Sequence, residues 1–105
     1  MPAARPGEVW VVDLGMVAKV RPCLVLTPPP KIDDLDVFTV VAHTKSLRRN
    51  RREVHVPKPF LDHEGAFDVQ RVATIASVKL ERKLGALTEV EMNRVLEVLA
   101  ERLGI

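Results

Sequence analysis

Hydrophobic and polar positions fall into two regimes along this chain. The first three quarters hold short apolar blocks broken by proline, glycine and charge, and the last fifteen or so residues switch to helical spacing. Glu8 to Leu14 is rich in β-formers and is introduced by Pro6-Gly7, which predicts a strand. Trp10, Val12 and Leu14 share one of its faces and Val9 and Val11 the other, so both faces should be covered. A tight segment, G-M-V-A-K-V, leads to Arg21-Pro22. The second strand, Cys23 to Thr27, is expected to start after that proline and to stop at Pro28, Pro29 and Pro30. Val37 to His43 is almost continuous in β-formers and predicts a central strand. R-E-V-H-V then alternates as a half-exposed strand does, closed by Pro57 and Pro59. Ala66 to Gln70 and Val72 to Ser77 predict either one further strand or two short ones.

The change of period comes at Thr88. T-E-V-E is a capping box, and Met92, Val95, Leu96, Leu99 and Leu103 then recur as one stripe, with Gly104 as terminator. A helix from Glu89 to Leu103 should pack across the sheet. Five or more strands followed by one helix predict a mainly β fold with a terminal α element. The fold class is a small, strongly bent barrel with a helix laid against it.

Composition narrows the picture. With 105 residues, 47% of them hydrophobic, the chain should form one domain over residues 1–105. A core of that size is modest, so association into a homodimer is expected. The net charge of +2 does not by itself indicate nucleic acid, but five cations lie within one short stretch: Lys45, Arg48, Arg49, Arg51 and Arg52. Cys23 is the only cysteine, which excludes an intrachain disulfide framework or a thiolate zinc cluster. No H-x-x-H pair exists, so neither a metal nor a cofactor is expected. The N-terminus lacks a signal-peptide core and no stretch is long and apolar enough to span a membrane, so a cytoplasmic location is expected.

Two apolar runs end on residues suited to a phosphodiester. Arg21 stands at the head of R-P-C-L-V-L, and Thr44 follows V-F-T-V-V-A-H and leads into the cationic run. A planar guanidinium donates two parallel hydrogen bonds to phosphate oxygens, and a hydroxyl can donate to a phosphate or orient a 2′-OH. Each residue taken alone is as well explained structurally, as a surface arginine and as a β-branched strand end. His43 has the right titration range for a general base, but adjacent strand residues point to opposite faces, so it should face away from Thr44.

The order and spacing of P-G-E-V-W-V-V-D-L, R-P-C-L-V-L, V-V-A-H-T-K-S, A-F-D-V-Q and R-K-L-G-A-L-T-E-V-E-M-N-R-V-L resemble the MazF/PemK-like toxins of bacterial toxin–antitoxin pairs. The resemblance implies an SH3-like barrel, a homodimer and a metal-independent endoribonuclease that cleaves single-stranded mRNA, checked by a cognate acidic antitoxin. By position it places the catalytic pair on Arg21 and Thr44 and an acidic RNA-proximal residue on Asp68. An arginine that the family carries near that acid falls on Arg71 in one register. The chain departs from the family in its short first loop, so substrate preference does not transfer. RNA contacts are expected from Lys45, Ser46, Arg48, Arg49, Arg51, Arg52, Asp68 and Gln70, with Phe67 as a stacking platform for a base. A non-catalytic barrel acting by protein contact, as a topoisomerase-poison-like toxin or a partner-binding homologue, is the competing class.

Overall fold

In a computed structural model of the chain, residues 3–15 and 19–105 are described. Six strands and one α-helix follow in the order β1 (Glu8–Asp13), β2 (Val20–Val25), β3 (Val37–Thr44), β4 (Glu53–Val54), β5 (Ala66–Ala76), β6 (Leu80–Ala86) and α1 (Glu89–Leu103), with a 3-10 turn at Ser77–Lys79 between β5 and β6. They form one sheet in the order β4-β5-β3-β2-β1-β6, every described pairing being antiparallel. Most of the shortened first loop, residues 16–18, lies outside the described residues. Its base closes as a hairpin, with the Leu14 amide donating to the Lys19 carbonyl at 2.9 Å.

The sheet is bent but does not close, because β4 and β6 remain its two edges. The expected barrel is therefore open. At β4 the cause is local: only Glu53 and Val54 pair with β5, and Pro57 and Pro59 follow, which have no N–H to extend a ladder. Pro22 lies inside β2, opposite Val11, and the strand starts earlier than Cys23. The ladder to β3 begins only at Cys23, so at Pro22 the strand is still an edge, where a residue without an N–H is tolerated. Residues 66–76 form one strand rather than two. Its pairing with β3 slips between Val41↔Val72 and His43↔Phe67, which leaves Asp68 to Arg71 as a bulged insert.

Each face of the sheet carries a buried cluster. One gathers Val9, Leu24, Val41, Val54, Phe67 and Val69 under Val95 and Leu99 of α1. The other gathers Val12, Cys23, Val25, Phe38, Val40 and Ala42. The helix has the expected bounds: the Thr88 hydroxyl accepts from the Glu91 amide at 3.2 Å, the Glu91 carboxylate accepts from the Thr88 amide at 2.8 Å, and Gly104 ends it in the left-handed region. Its buried stripe is narrower than the periodicity predicts. Met92, Val95, Val98 and Leu99 meet the core, whereas Leu96 and Leu103 stay exposed on the side of the helix away from β4, which lies against Arg94, Glu97 and Val98.

β6 was not foreshadowed by its sequence. L-E-R-K-L-G-A has a charged centre that hides its alternation, yet Leu80 and Leu84 point inward along an edge strand, where exposed charge protects against further pairing. A Cβ on Gly85 would lie 2.4 Å from the Phe60 ring, so a larger residue there would have to displace that ring.

Candidate active site

Arg21 lies on β2 and Thr44 at the end of the neighbouring β3. The β2–β3 ladder ends at Cys23 opposite Ala42, and its register extended two residues further would set Arg21 across from Thr44 on the same sheet face. Thr44 is the last residue of β3 and only 1% exposed. Its Oγ1 accepts a hydrogen bond from the Ser46 amide at 3.0 Å, which leaves the hydroxyl hydrogen to be donated elsewhere.

The bulge in β5 brings in a residue that the sequence reading did not place in the RNA-contact set. Arg71 donates through Nε to Oδ2 of the buried Asp68 at 3.2 Å, and Asp68 Oδ1 accepts from the Gln70 amide at 2.9 Å. With Nε committed to that carboxylate, the planar guanidinium of Arg71 is constrained at a half-exposed position. Arg21 and Arg71 line one cleft of about 330 Å³, floored by Val40, Ala42, Ala73 and Ile75. The signal for Arg71 in the sequence is D-V-Q-R, which reads as a strand of alternating character and becomes an ion pair only because the strand is bulged.

The cationic run after Thr44 is folded back on itself. Glu53 accepts from the Arg48 and Asn50 amides at 2.7 and 3.1 Å, and these contacts hold its carboxyl below the ordinary range despite the opposing effect of burial. Arg51 and Arg52 both reach Glu101 of α1, at 3.3 and 3.2 Å, and Lys45 reaches Asp62 at 3.4 Å. The side chains of Arg48 and Arg49 belong to exposed residues. Gln70 is exposed and accepts from the Asn50 side chain at 3.4 Å. Phe67 leaves the set of RNA contacts: it is wholly buried in the core, and a base cannot stack on an enclosed ring.

His43 faces away from this site, as the strand period requires. It lies edge-on to Phe67 with ring centroids 4.9 Å apart, is 4% exposed, and its Nε2 is buried with no hydrogen-bond partner. Burial lowers its pKa, the nearby His55 lowers it further, and Asp62 acts in the opposite sense. A Cβ on Gly65 would come within 2.5 Å of His43 Cε1, so the residue facing the ring can only be glycine. His55, by contrast, is exposed, and its Nδ1 lies 3.0 Å from the Gly65 carbonyl. Among the described residues no three His, Cys, Asp or Glu side chains converge as a metal site, and no helix is long and apolar enough to cross a membrane.

Residues 5–103 match the family model described as PemK-like, MazF-like toxin of type II toxin–antitoxin system. Comparison with curated protein sequences yields no match. Among solved structures, the chain is similar to an endoribonuclease in complex with its cognate antitoxin from a mycobacterial species, with a TM-score of 0.81, 25% identity, and 98% and 97% of the two chains covered. MazE-MazF from Deinococcus radiodurans aligns with a TM-score of 0.80 at 16% identity over 100% of this chain and 99% of that one. The Mycobacterium tuberculosis toxin MazF-mt6 aligns with a TM-score of 0.77 at 23% identity over 93% and 97%.

Proposed function

Because the chain belongs to the PemK-like, MazF-like toxins of type II toxin–antitoxin systems, we propose that it is an endoribonuclease acting on single-stranded mRNA at the cleft between Arg21 and Arg71. The observation that carries this reading is the pair of guanidiniums on one cleft, one of them oriented by the buried Asp68. Two such forks suit a phosphodiester whose oxygens gain charge during displacement.

In this reading the 2′-oxygen of the substrate attacks the adjacent phosphorus, and the P–O5′ bond breaks. The 2′-oxygen loses its proton and the departing 5′-oxygen gains one, so the products are a 2′,3′-cyclic phosphate and a 5′-hydroxyl, with no water consumed. Arg21 stabilises charge on the non-bridging oxygens, and Arg71 holds the phosphate against it. Fixed donors of this kind are worth about 3–4 kcal/mol each in the transition state. The internal nucleophile and the two guanidiniums perform these roles without a metal.

Thr44 takes part through its hydroxyl, which is reached when RNA lifts Ser46 from it. That displacement frees both the Thr44 oxygen and the Ser46 amide for the phosphate. His43 is unsuited to general base chemistry, since its ring is enclosed on the other face of the strand. Lys45, Arg48 and Arg49 track the backbone on either side, while Arg51 and Arg52 must leave Glu101 to do so. Asp68 and Gln70 contribute at the bulge, Asp68 by holding Arg71. An acidic antitoxin would compete for the same cations. A second copy of the chain would cover the exposed apolar residues Val20 and Val72 beside the cleft.

The test is cleavage of a long single-stranded RNA by the purified chain in EDTA, with end-group analysis of the fragments. Arg21→Ala and Arg71→Ala should each lower turnover by about 100-fold or more, with melting curves confirming that each variant folds. Full activity in both variants, or strict metal dependence of the parent protein, would overturn the mechanism.

A further inference from the structure

A second cleft lies on the other side of Thr44. It measures about 480 Å³ and is lined by Leu47, Arg49, His55, His63, Glu64 and Ala66. Ala66 pairs directly with Thr44 across β3 and β5, so their side chains share one face and the cleft starts one strand away from Thr44. Just beyond Ala66, His55 follows β4 and is tied to Gly65. Thr44 and Ala66 are a ladder pair, and extending the neighbouring registers places Arg21 on one side of them and His55, just past the end of β4, on the other. Adjacent strands are about 4.8 Å apart, which sets His55 roughly 10 Å from Thr44. That is too far to touch the phosphate held at Arg21 and close enough to meet the base of an adjoining nucleotide.

The hydrogen bond to Gly65 fixes what His55 offers. A carbonyl can only accept, so Nδ1 must carry the hydrogen, and in the neutral ring Nε2 is left as an acceptor on a residue that lines the cleft. The wall around it is held in place. Glu53 ties down the amides of Arg48 and Asn50, and Arg49 sits in the left-handed region with φ 58° at the turn. The Arg94 guanidinium of α1 donates to the His55 carbonyl at 3.0 Å, which anchors the backbone that carries the imidazole. An anchored acceptor in an open cleft with an apolar flank (Leu47, Ala66) matches the edge of a nucleobase.

We propose that this cleft is a base-reading subsite and that His55 is its specificity-determining residue, accepting an N–H of one unpaired base flanking the phosphate held at Arg21. The inference rests on the ribonuclease reading for its substrate class. It adds one position of sequence preference, read by a group outside the chemical step.

The test uses a pool of single-stranded RNA in which every 2′-OH is methylated, so that binding is measured without cleavage. Selection from this pool should return a preferred base at one position with the parent chain, and His55→Ala should lower that preference by about three- to tenfold, the weight of one hydrogen bond, while leaving the other positions unchanged. The His55 ring signals should shift on titration with the selected oligonucleotide. Unchanged preference in the variant, no shift at His55, or a shift produced only by an acidic peptide would each overturn the proposal. Cleavage of unmodified RNA is scored separately. Loss of cutting with retained base preference would remove the ribonuclease reading and leave the subsite standing.

Discussion

Acidification from about pH 7.5 to about pH 5.5 should weaken the fold through His43, and replacing that residue with Gln should remove the effect. The ring is 4% exposed, packed between Phe67 and Gly65, and its Nε2 has no partner, so a second proton there would be a buried charge. Its pKa is therefore lowered from 6.5 chiefly by burial, with His55 adding to the shift and Asp62 opposing it. The unfolded chain then binds a proton that the folded chain refuses, so the stability is present above pH 6.5 and is lost as pH falls below it. The limiting slope is about 1.4 kcal/mol per pH unit. Since the unfolded histidine is half protonated at its own pKa, a folded ring that stays neutral sets the upper bound on the loss from about pH 6.5 to 5.5 at about 1 kcal/mol. For a domain of this size that is a fall of about 4 °C in melting temperature. Urea unfolding across the pH range measures it, and the His43 ring signals report protonation directly. His43→Gln should be less stable at neutral pH yet flat across this window. It should also leave RNA cleavage at neutral pH intact, because the ring faces away from Thr44. A flat parent protein, or an unchanged slope in the variant, would refute the reasoning.

Three further outcomes follow from single contacts. Thr88→Ala removes the hydroxyl acceptor of the capping box and should cost about 1 kcal/mol, read as a lower urea midpoint at constant m-value; no change would dismiss the box as a contributor. Cys23 is enclosed and its thiol is pushed up to about 12 by burial, so iodoacetamide at about pH 8 should label it only after denaturation, and rapid labelling of the native chain would contradict the packing of β2. Glu101→Gln releases Arg51 and Arg52 from a solvent-exposed pairing, with a stability change under about 1 kcal/mol. It should steepen the dependence of RNA binding on log salt by about 0.7–1.4, one or two extra phosphate contacts; an unchanged slope would show that those arginines stay docked on the helix.

The elements that were legible in the sequence are those whose signal is local. The helix could be bounded because both of its ends carry local signals, the side chains of Thr88 and Glu91 at one end and the left-handed backbone of Gly104 at the other. β3 was legible because it is covered on both faces and reads as a continuous apolar run. β6 was hidden because its job as an edge needs charge rather than alternation. The stripe on α1 misled at Leu96 and Leu103, since periodicity shows which residues share a face but not how far the opposing sheet extends.

The same division runs through the site. Sequence alone determined the groups that suit a phosphate: Arg21 and Thr44 at strand ends, and a dense cationic run behind them. It also determined that His43 and Thr44 point apart, because strand period fixes that without any knowledge of packing. Only the tertiary structure decided which of these groups are available. It enclosed Phe67, buried the Thr44 hydroxyl beneath Ser46, and committed Arg51 and Arg52 to Glu101. It also drew Arg71 to Asp68 through a bulge, and so set a second guanidinium beside Arg21. These are facts of register and long-range approach. One slipped pairing in β5 changes which side chains meet, and neither composition nor local period carries that information.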